Sequence, residues 1–258
     1  LKPEMKILVA DKFERSGLDG LAAAGCDVVY TPGVKDEALR LAIAETGADV
    51  LVVRGTRVTA EMLADGALSL IVRAGAGYNT IDVPAASARG IYVSNCPGRN
   101  AVAVAELAFG LILALDRRIP DNVAELRAGR WNKQGFSNAR GLFGRTLGLL
   151  GFGHIGQEMA RRAYGFGMPT VVWSRRFAGA VSSESEQLAP GVTVAPSPQD
   201  VAAAADVLSV HLALVPDTRG FVNRAIFQQL RPGASFVNTA RAEVVDQGAL
   251  EEAIKDGG

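Results

Sequence analysis

Gly151, Gly153 and Gly156 sit in the run Leu147-Gly148-Leu149-Leu150-Gly151-Phe152-Gly153-His154-Ile155-Gly156, so a Gly-x-Gly-x-x-Gly spacing directly follows an apolar, strand-like stretch. Gln157 to Arg162 continues it as a helix. In that context Gly151 permits a tight turn, Gly153 lets backbone N–H groups come close to a pyrophosphate, and Gly156 allows close helix–strand packing. His154 and Ile155 would meet the same anion at the helix N-terminus, where unsatisfied N–H groups and the macrodipole favour negative charge. With 29 glycines in the chain the spacing alone arises by chance, and a glycine turn without a ligand is the alternative. The strand before, the helix after and a further strand at Thr170 point instead to a dinucleotide.

A dinucleotide site usually places an acid at the end of its second strand to accept from the ribose 2′-hydroxyl. Here Trp173-Ser174-Arg175-Arg176 stands at that point, and no Asp or Glu occurs from Met159 to Ser183. Ser174 can donate a hydrogen bond, and Arg175 or Arg176 can pair with a 2′-phosphate that a carboxylate would repel. The expectation is NADP(H) in preference to NAD(H), with NAD(H) possible if the arginines are solvated strand-end charges.

The rest of the composition excludes several classes. The 258 residues carry 27 Lys+Arg against 27 Asp+Glu, without a basic run, which argues against a nucleic-acid surface. Cys26 and Cys96 are too few and too far apart for a disulfide framework or a zinc site, in keeping with a cytoplasmic location. Ala101 to Leu115 is the longest apolar stretch, but Glu106 and Gly110 interrupt it and it falls short of the roughly 20 residues that span a bilayer. It reads as a buried helix, and no membrane association is expected. The N-terminus shows no signal peptide, and Met5 is a plausible start.

These residues need elements to hold them, and the chain alternates short β-rich runs with Ala-rich or amphipathic segments almost from end to end. Strands are expected at Lys6 to Ala10, Asp27 to Tyr30, Val50 to Arg54, Leu70 to Ala74 and Ile91 to Asn95, with helices at Ser16 to Ala24, Asp36 to Thr46, Ala60 to Asp65 and Val83 to Arg89. After Cys96-Pro97-Gly98 a long helix runs from Asn100 to Arg118, and Arg127 to Gly144 reads as a loop. A second strand set follows at Thr146 to Leu150, Thr170 to Ser174, Val192 to Ala195, Val207 to Leu212 and Ala234 to Thr239. The fold class is therefore α/β with two doubly wound parallel-sheet domains, 1–98 and 99–258.

Several further runs carry a resemblance. Val72-Arg73-Ala74-Gly75-Ala76-Gly77-Tyr78-Asn79-Thr80-Ile81-Asp82, Asn95-Cys96-Pro97-Gly98-Arg99-Asn100, Ala105-Glu106-Leu107, Trp131-Asn132-Lys133, Val210-His211 and Asn238-Thr239-Ala240-Arg241, with Val244-Val245-Asp246 after it, occur in order along the chain. Together with the glycine loop the sequence resembles the D-isomer-specific 2-hydroxyacid dehydrogenases, on the phosphoglycerate dehydrogenase-like branch. The resemblance implies a flavodoxin-like substrate domain followed by a Rossmann NAD(P)-binding domain, with the substrate in the cleft between them. It also implies hydride exchange between the nicotinamide and a D-2-hydroxy acid or its 2-keto acid, of the 3-phosphoglycerate, hydroxypyruvate or glyoxylate type.

Carried over by position, Arg241 is the catalytic arginine. A guanidinium can clamp the substrate carboxylate and stabilise charge developing on the adjacent carbonyl. Arg54 matches a substrate-binding position, and the small loop of Gly75, Ala76 and Gly77 is expected to offer its amides to the carboxylate as an anion nest. Val104, Thr239 and Ala240 are implied on the cofactor side, and so is His211, which takes no part as a base. The family's acid–base His and its Glu partner lie downstream of the arginine, beyond Gly258. The chain is therefore expected to be a fragment, inactive alone, with an incompletely covered edge at Ala234 to Thr239. Ala242 stands where the family has Gly, which puts the turn beneath Arg241 in question. A homodimer through Asn100 to Arg118 is implied as well. The competing reading is a non-catalytic dinucleotide-binding sensor or co-repressor-like interaction protein.

Overall fold

The computed structural model describes residues 5–177 and 188–255. The chain divides into two compact units, Leu1–Asn100 and Ala101–Gly258.

In the first unit, β1 (Lys6–Val9), α1 (Arg15–Ala23), β2 (Asp27–Tyr30), α2 (Asp36–Thr46), β3 (Val50–Val53), β4 (Leu70–Arg73), α3 (Val83–Ala88) and β5 (Tyr92–Ser94) follow one another. All pairings are parallel, and the sheet runs β2-β1-β3-β4-β5, the flavodoxin-like order. Central β3 is apolar throughout (Val-Leu-Val-Val) because both faces are covered. One face packs Leu51 and Ile71 against Leu39 and Ile43 of α2, and the other packs Ile7, Val9, Val50 and Val52 against Leu18 and Leu21 of α1. Each fully buried Leu or Ile here contributes about 2 kcal/mol. The helix expected over Ala60 to Asp65 shrinks to a 3-10 turn at Glu61–Leu63, whose Met62 and Leu63 are tucked into the core.

The second unit contains α4 (Ala101–Arg117), α5 (Ile119–Arg127), β6 (Leu147–Leu150), α6 (His154–Gly165), β7 (Thr170–Trp173), β8 (Val192–Val194), α7 (Pro198–Ala204), β9 (Val207–Val210), α8 (Arg224–Phe227), β10 (Ser235–Asn238) and α9 (Gln247–Lys255). Its parallel sheet runs β10-β9-β6-β7-β8, which is the Rossmann order for these strands. Residues of α4 and α6, among them Phe109, Ile112, Met159 and Ala163, cover one face. Val201, Ala202, Ile226 and Phe227 of α7 and α8 cover the other with Ala249 of α9. β10 is the outermost strand among the described residues, and an open groove of about 700 Å³ beside it is lined by Phe236, Leu250 and Ile254, among others.

The longest apolar run is not a buried helix. Ala101, Ala105, Ala108, Phe109 and Ile112 of α4 are buried, but Val102, Leu107, Leu111 and Leu115 are exposed. The run is apolar on both sides because one face meets the sheet and the other presents itself outward. Arg118 then takes a left-handed φ of 49°, and Pro120 in the first turn starts α5, a helix that the sequence reading did not separate. The base of α4 is fastened by a buried ion pair, Asp116 Oδ1 to Arg145 Nη1 at 3.1 Å, with Asp116 Oδ2 also accepting from Gly141 N. Among the described residues no helix is long and apolar enough to cross a membrane.

Candidate active site

Three helices of the second unit begin under a side-chain cap. Ser197 accepts from Asp200 N on α7, Asn223 from Ile226 N on α8, and Asp246 from Ala249 N on α9. The helix α6 begins at Gly153 with no such cap, and its first backbone bond is Gln157 N to Gly153 O. The N–H groups of His154, Ile155 and Gly156 are thus left at an open, positive helix end. The glycines around it have separate reasons. Gly151 has φ 102°, and a Cβ there would come within 2.5 Å of the His211 carbonyl oxygen. A Cβ on Gly156 would strike the carbonyl of Gly151, whereas one on Gly153 would meet nothing within 4 Å. The His154 side chain is exposed, and Ile155 packs into the core.

Because the strands are parallel, their C-terminal ends share one edge. Leu150 is in register with Trp173 and with Val210, and Val210 with Asn238. Gly151, Ser174, His211 and Thr239 therefore form the row just beyond the strand ends, and the change of direction in strand order falls between β6 and β9, next to Gly151 and His211. Ligands in open α/β sheets bind at that switch.

Past β7, Ser174 is half-buried and its carbonyl accepts from Phe177 N. Arg175 reaches Asp217 Oδ2 at 3.5 Å in an exposed pair. Arg176 lies over the Phe177 ring at 4.6 Å and the Phe152 ring at 5.4 Å, which holds its guanidinium beside the glycine loop.

Past β9, the ring of His211 is held by Ser209, whose Oγ is 2.9 Å from Nε2, while His211 N donates to Leu150 O. His211 Nδ1 is buried without a hydrogen-bond partner among the described residues, and burial pushes the pKa of this histidine down to about 4. The imidazole is therefore neutral. Past β10, Asn238 closes the turn at both ends: its Nδ2 donates to Arg241 O and its Oδ1 accepts from Ala240 N, both at 2.9 Å. Arg241 is half-buried, with Nη1 donating to Ala240 O. Thr239 Oγ1 is buried and without a partner among the described residues. Ala242 is exposed, does not adopt positive φ, and opens a 3-10 turn, so a side chain at this position brings no strain to Arg241. Val104 lies half-buried on α4.

The first unit has its own edge. Arg54 is exposed just past β3, and among the described residues its guanidinium forms no ion pair. At the end of β4 the loop differs from the expected nest. Gly75 N turns back to Arg73 O at 2.7 Å, an inverse γ-turn, so this amide is already committed. Only the Ala76 and Gly77 N–H groups remain without a protein acceptor among the described residues. A Cβ on Gly75 would fall where the Arg73 guanidinium lies, so a larger residue there would displace that side chain. Asn95 Nδ2 and Cys96 N hold the other side of the loop through the carbonyls of Ala76 and Gly75.

Three residues at these edges were missed in the sequence. Asp11 accepts from the backbone N–H groups of Arg54, Gly55 and Thr56; Ser209 holds His211; Asn238 shapes the Arg241 turn. The available signals were an acid directly after an apolar strand, a polar residue inside one, and an Asn at a strand end.

Compared with known proteins, residues 109–258 match the model of the D-isomer specific 2-hydroxyacid dehydrogenase NAD binding domain. The chain belongs to the D-isomer specific 2-hydroxyacid dehydrogenase family. It is 36% identical over 255 residues to D-3-phosphoglycerate dehydrogenase of Methanocaldococcus jannaschii, covering 98% of this chain and 47% of that protein. The chain thus spans about half the length of the curated relatives it matches. Among solved structures, phosphoglycerate oxidoreductase from Vibrio cholerae superposes with TM-score 0.77 at 37% identity, over 98% of this chain and 81% of that one. An acyclic imino acid reductase solved in complex with NADPH and D-Arg superposes with TM-score 0.84 at 26% identity, over 98% and 80%.

The residues present fit a nicotinamide dinucleotide. The open α6 N-terminus suits a pyrophosphate, Gly151 and Gly156 keep the turn closed where side chains would clash, and the orphaned His211 Nδ1 and Thr239 Oγ1 lie along the same edge.

Proposed function

We propose that this chain takes part in hydride exchange between NADP(H) and a small D-2-hydroxy acid or its 2-keto acid. The observation that carries the reading is the single row of Gly151, Ser174, His211 and Thr239 at the sheet edge, with the uncapped α6 at its centre and Arg241 two residues past its end. When bound, the dinucleotide supplies the hydride donor or acceptor carbon. The chain's own residues bind and orient. The amides of His154, Ile155 and Gly156 hold the pyrophosphate, and Val104, His211, Thr239 and Ala240 border the nicotinamide. Arg241, fixed by Asn238, holds the substrate carboxylate and steadies negative charge on the reacting oxygen. In the first unit, Arg54 and the amides of Ala76 and Gly77 are the groups suited to a small carboxylate. Gly75 serves by giving Arg73 room.

His211 does not move the proton in this reading. Its ring is neutral, buried and tied to Ser209, so it shapes the cofactor pocket instead.

The preference for NADP(H) rests on Ser174, Arg175 and Arg176 at the end of β7, with Arg176 already braced on two rings. Asp217 does not undo it, because an exposed pair of this kind is worth no more than about 1 kcal/mol and yields readily to a phosphate. The imino acid reductase, of the same fold, was solved in complex with NADPH, which supports this reading. The exposed leucines of α4 support assembly as a homodimer, and the free thiols of Cys26 and Cys96 support a cytoplasmic location.

The test is a titration with NADPH and NADH, followed by oxidation of the bound one with a panel of 2-keto acids. Tighter NADPH binding is expected of this chain, and turnover of a hydroxypyruvate- or glyoxylate-type acid is expected of a protein that also carries the acid–base His and Glu implied downstream, not of this chain alone. Tighter NADH binding overturns the preference, and binding without turnover by a protein that carries the downstream His and Glu overturns the dehydrogenase reading in favour of a dinucleotide-binding protein.

A further inference from the structure

The strand order of the first sheet also reverses direction, between β1 and β3, and residues past those two strands border the crevice where open α/β sheets take their ligands. Here the crevice is filled from within. Asp11, two residues past β1, places Oδ2 at 2.6 Å from Arg54 N, 2.9 Å from Gly55 N and 3.0 Å from Thr56 N. Its Oδ1 accepts from Thr56 Oγ1 at 2.8 Å, and Thr56 is itself buried. Three successive backbone N–H groups converging on one oxygen form the kind of site that captures a ligand's anion. The protein uses its own carboxylate there, and burial, which would raise the pKa of Asp11, is outweighed by these donors, which bring it down to about 2.

The consequence for Arg54 is geometric. Its backbone, and that of the two residues after it, is pinned, while its guanidinium stays exposed and without an ion pair among the described residues. An exposed arginine on a loose loop would lose much of its binding energy to ordering on capture of a small anion. We propose that Asp11 is a positioning residue for substrate capture: it occupies the anion site of the Arg54-Gly55-Thr56 turn itself and so presents the Arg54 guanidinium, fixed at its root, to the carboxylate of a 2-keto acid. The proposal rests on the reading of Arg54 as a substrate-binding residue given above.

The test is a double-mutant cycle on the whole chain. Hydroxypyruvate and glyoxylate are titrated calorimetrically in the presence of NADP+ or NAD+, the oxidised dinucleotides, which cannot reduce a 2-keto acid. Arg54→Ala and Asp11→Ala are each expected to weaken binding about tenfold, and the double variant to bind no more weakly than Arg54→Ala alone. Asp11→Asn keeps one acceptor oxygen and is expected to recover part of the loss. Leu39→Ala, on the buried face of α2, lowers the stability of the same unit without altering a residue of the turn, and is expected to leave the affinity unchanged. If Asp11→Ala weakens binding by the same factor with or without Arg54, or if Leu39→Ala weakens it equally, Asp11 is only structural and the proposal falls. If Arg54→Ala binds as well as the unaltered chain, or the unaltered chain takes up neither acid, the reading of the site has failed and the proposal falls with it.

Discussion

The carbonyl oxygen of His211 stands 2.5 Å from the point a Cβ on Gly151 would occupy. The end of β9 is thereby packed onto the glycine turn after β6, so the two sides of the switch crevice are in contact through a position only glycine can fill. Gly151 also has φ 102°, which an L side chain rarely adopts.

This separates two glycines that look alike in the sequence. Gly151→Ala is expected to cost stability, about 2 kcal/mol or more from the backbone conformation and the clash together, and to abolish dinucleotide binding. Gly153→Ala has ordinary backbone angles and an open surrounding, so its melting temperature is expected to stay unchanged. Its dinucleotide affinity should nonetheless fall at least tenfold, because the added methyl stands before the open N–H groups of α6. Thermal melts beside NADPH titrations of both variants check this, and equal loss of stability in the two would contradict it.

At the end of β7, the arginines should discriminate between dinucleotides. Removing a charge-assisted contact to a 2′-phosphate costs about 1.5 to 3 kcal/mol, so Arg175→Ala and Arg176→Ala are each expected to weaken NADPH binding by tenfold or more. NADH binding should change little with Arg175→Ala. Arg176→Ala also removes the cation stacked on Phe152 and Phe177, so a small loss for NADH is expected there as well. Dissociation constants for both dinucleotides with each variant decide the matter.

Stability should depend on pH through His211. Its ordinary pKa of 6.5 falls to about 4 in the fold because the ring is buried. Above about pH 6.5 neither the folded nor the unfolded chain binds this proton. Between about 6.5 and 4 only the unfolded chain does, so stability falls by about 1.4 kcal/mol per pH unit, then levels off below the folded pKa. Asp11 acts in a separate window, contributing stability above its ordinary 3.8 that is lost as pH falls toward about 2. Denaturant titrations from pH 8 to 4 are expected to show the first slope, and His211→Gln to flatten it.

The exposed side of α4 carries Leu107 at 58%, Leu111 at 41% and Leu115 at 53% exposure. Leucines that far apart on one long helix form a surface that association would cover. Leu111→Glu is expected to convert a dimer to a monomer with the melting temperature of the monomeric unit preserved, as read by sedimentation. An unaltered chain that sediments as a monomer would refute the assembly.

Much of the architecture was written in the residue pattern. Both strand sets, the α/β class and the place of the glycine loop follow from apolar runs alternating with helical segments, because parallel strands buried on both faces need continuous apolar stretches such as Val50–Val53. The resemblance supplied by separate motifs identified the family, which the match over residues 109–258 shows. Local sequence also announced that an acid is missing at the end of β7. What it could not supply were contacts between residues far apart in the chain. Asp11 lies 43 residues from Arg54, and only the parallel register of β1 and β3 brings its carboxylate onto that turn. Tertiary packing likewise decided that α4 buries Ala105, Ala108 and Ile112 and keeps Leu107, Leu111 and Leu115 outward. A propensity or a spacing is a property of neighbours along the chain, whereas a hydrogen bond across a sheet edge exists only once the strands have been ordered side by side.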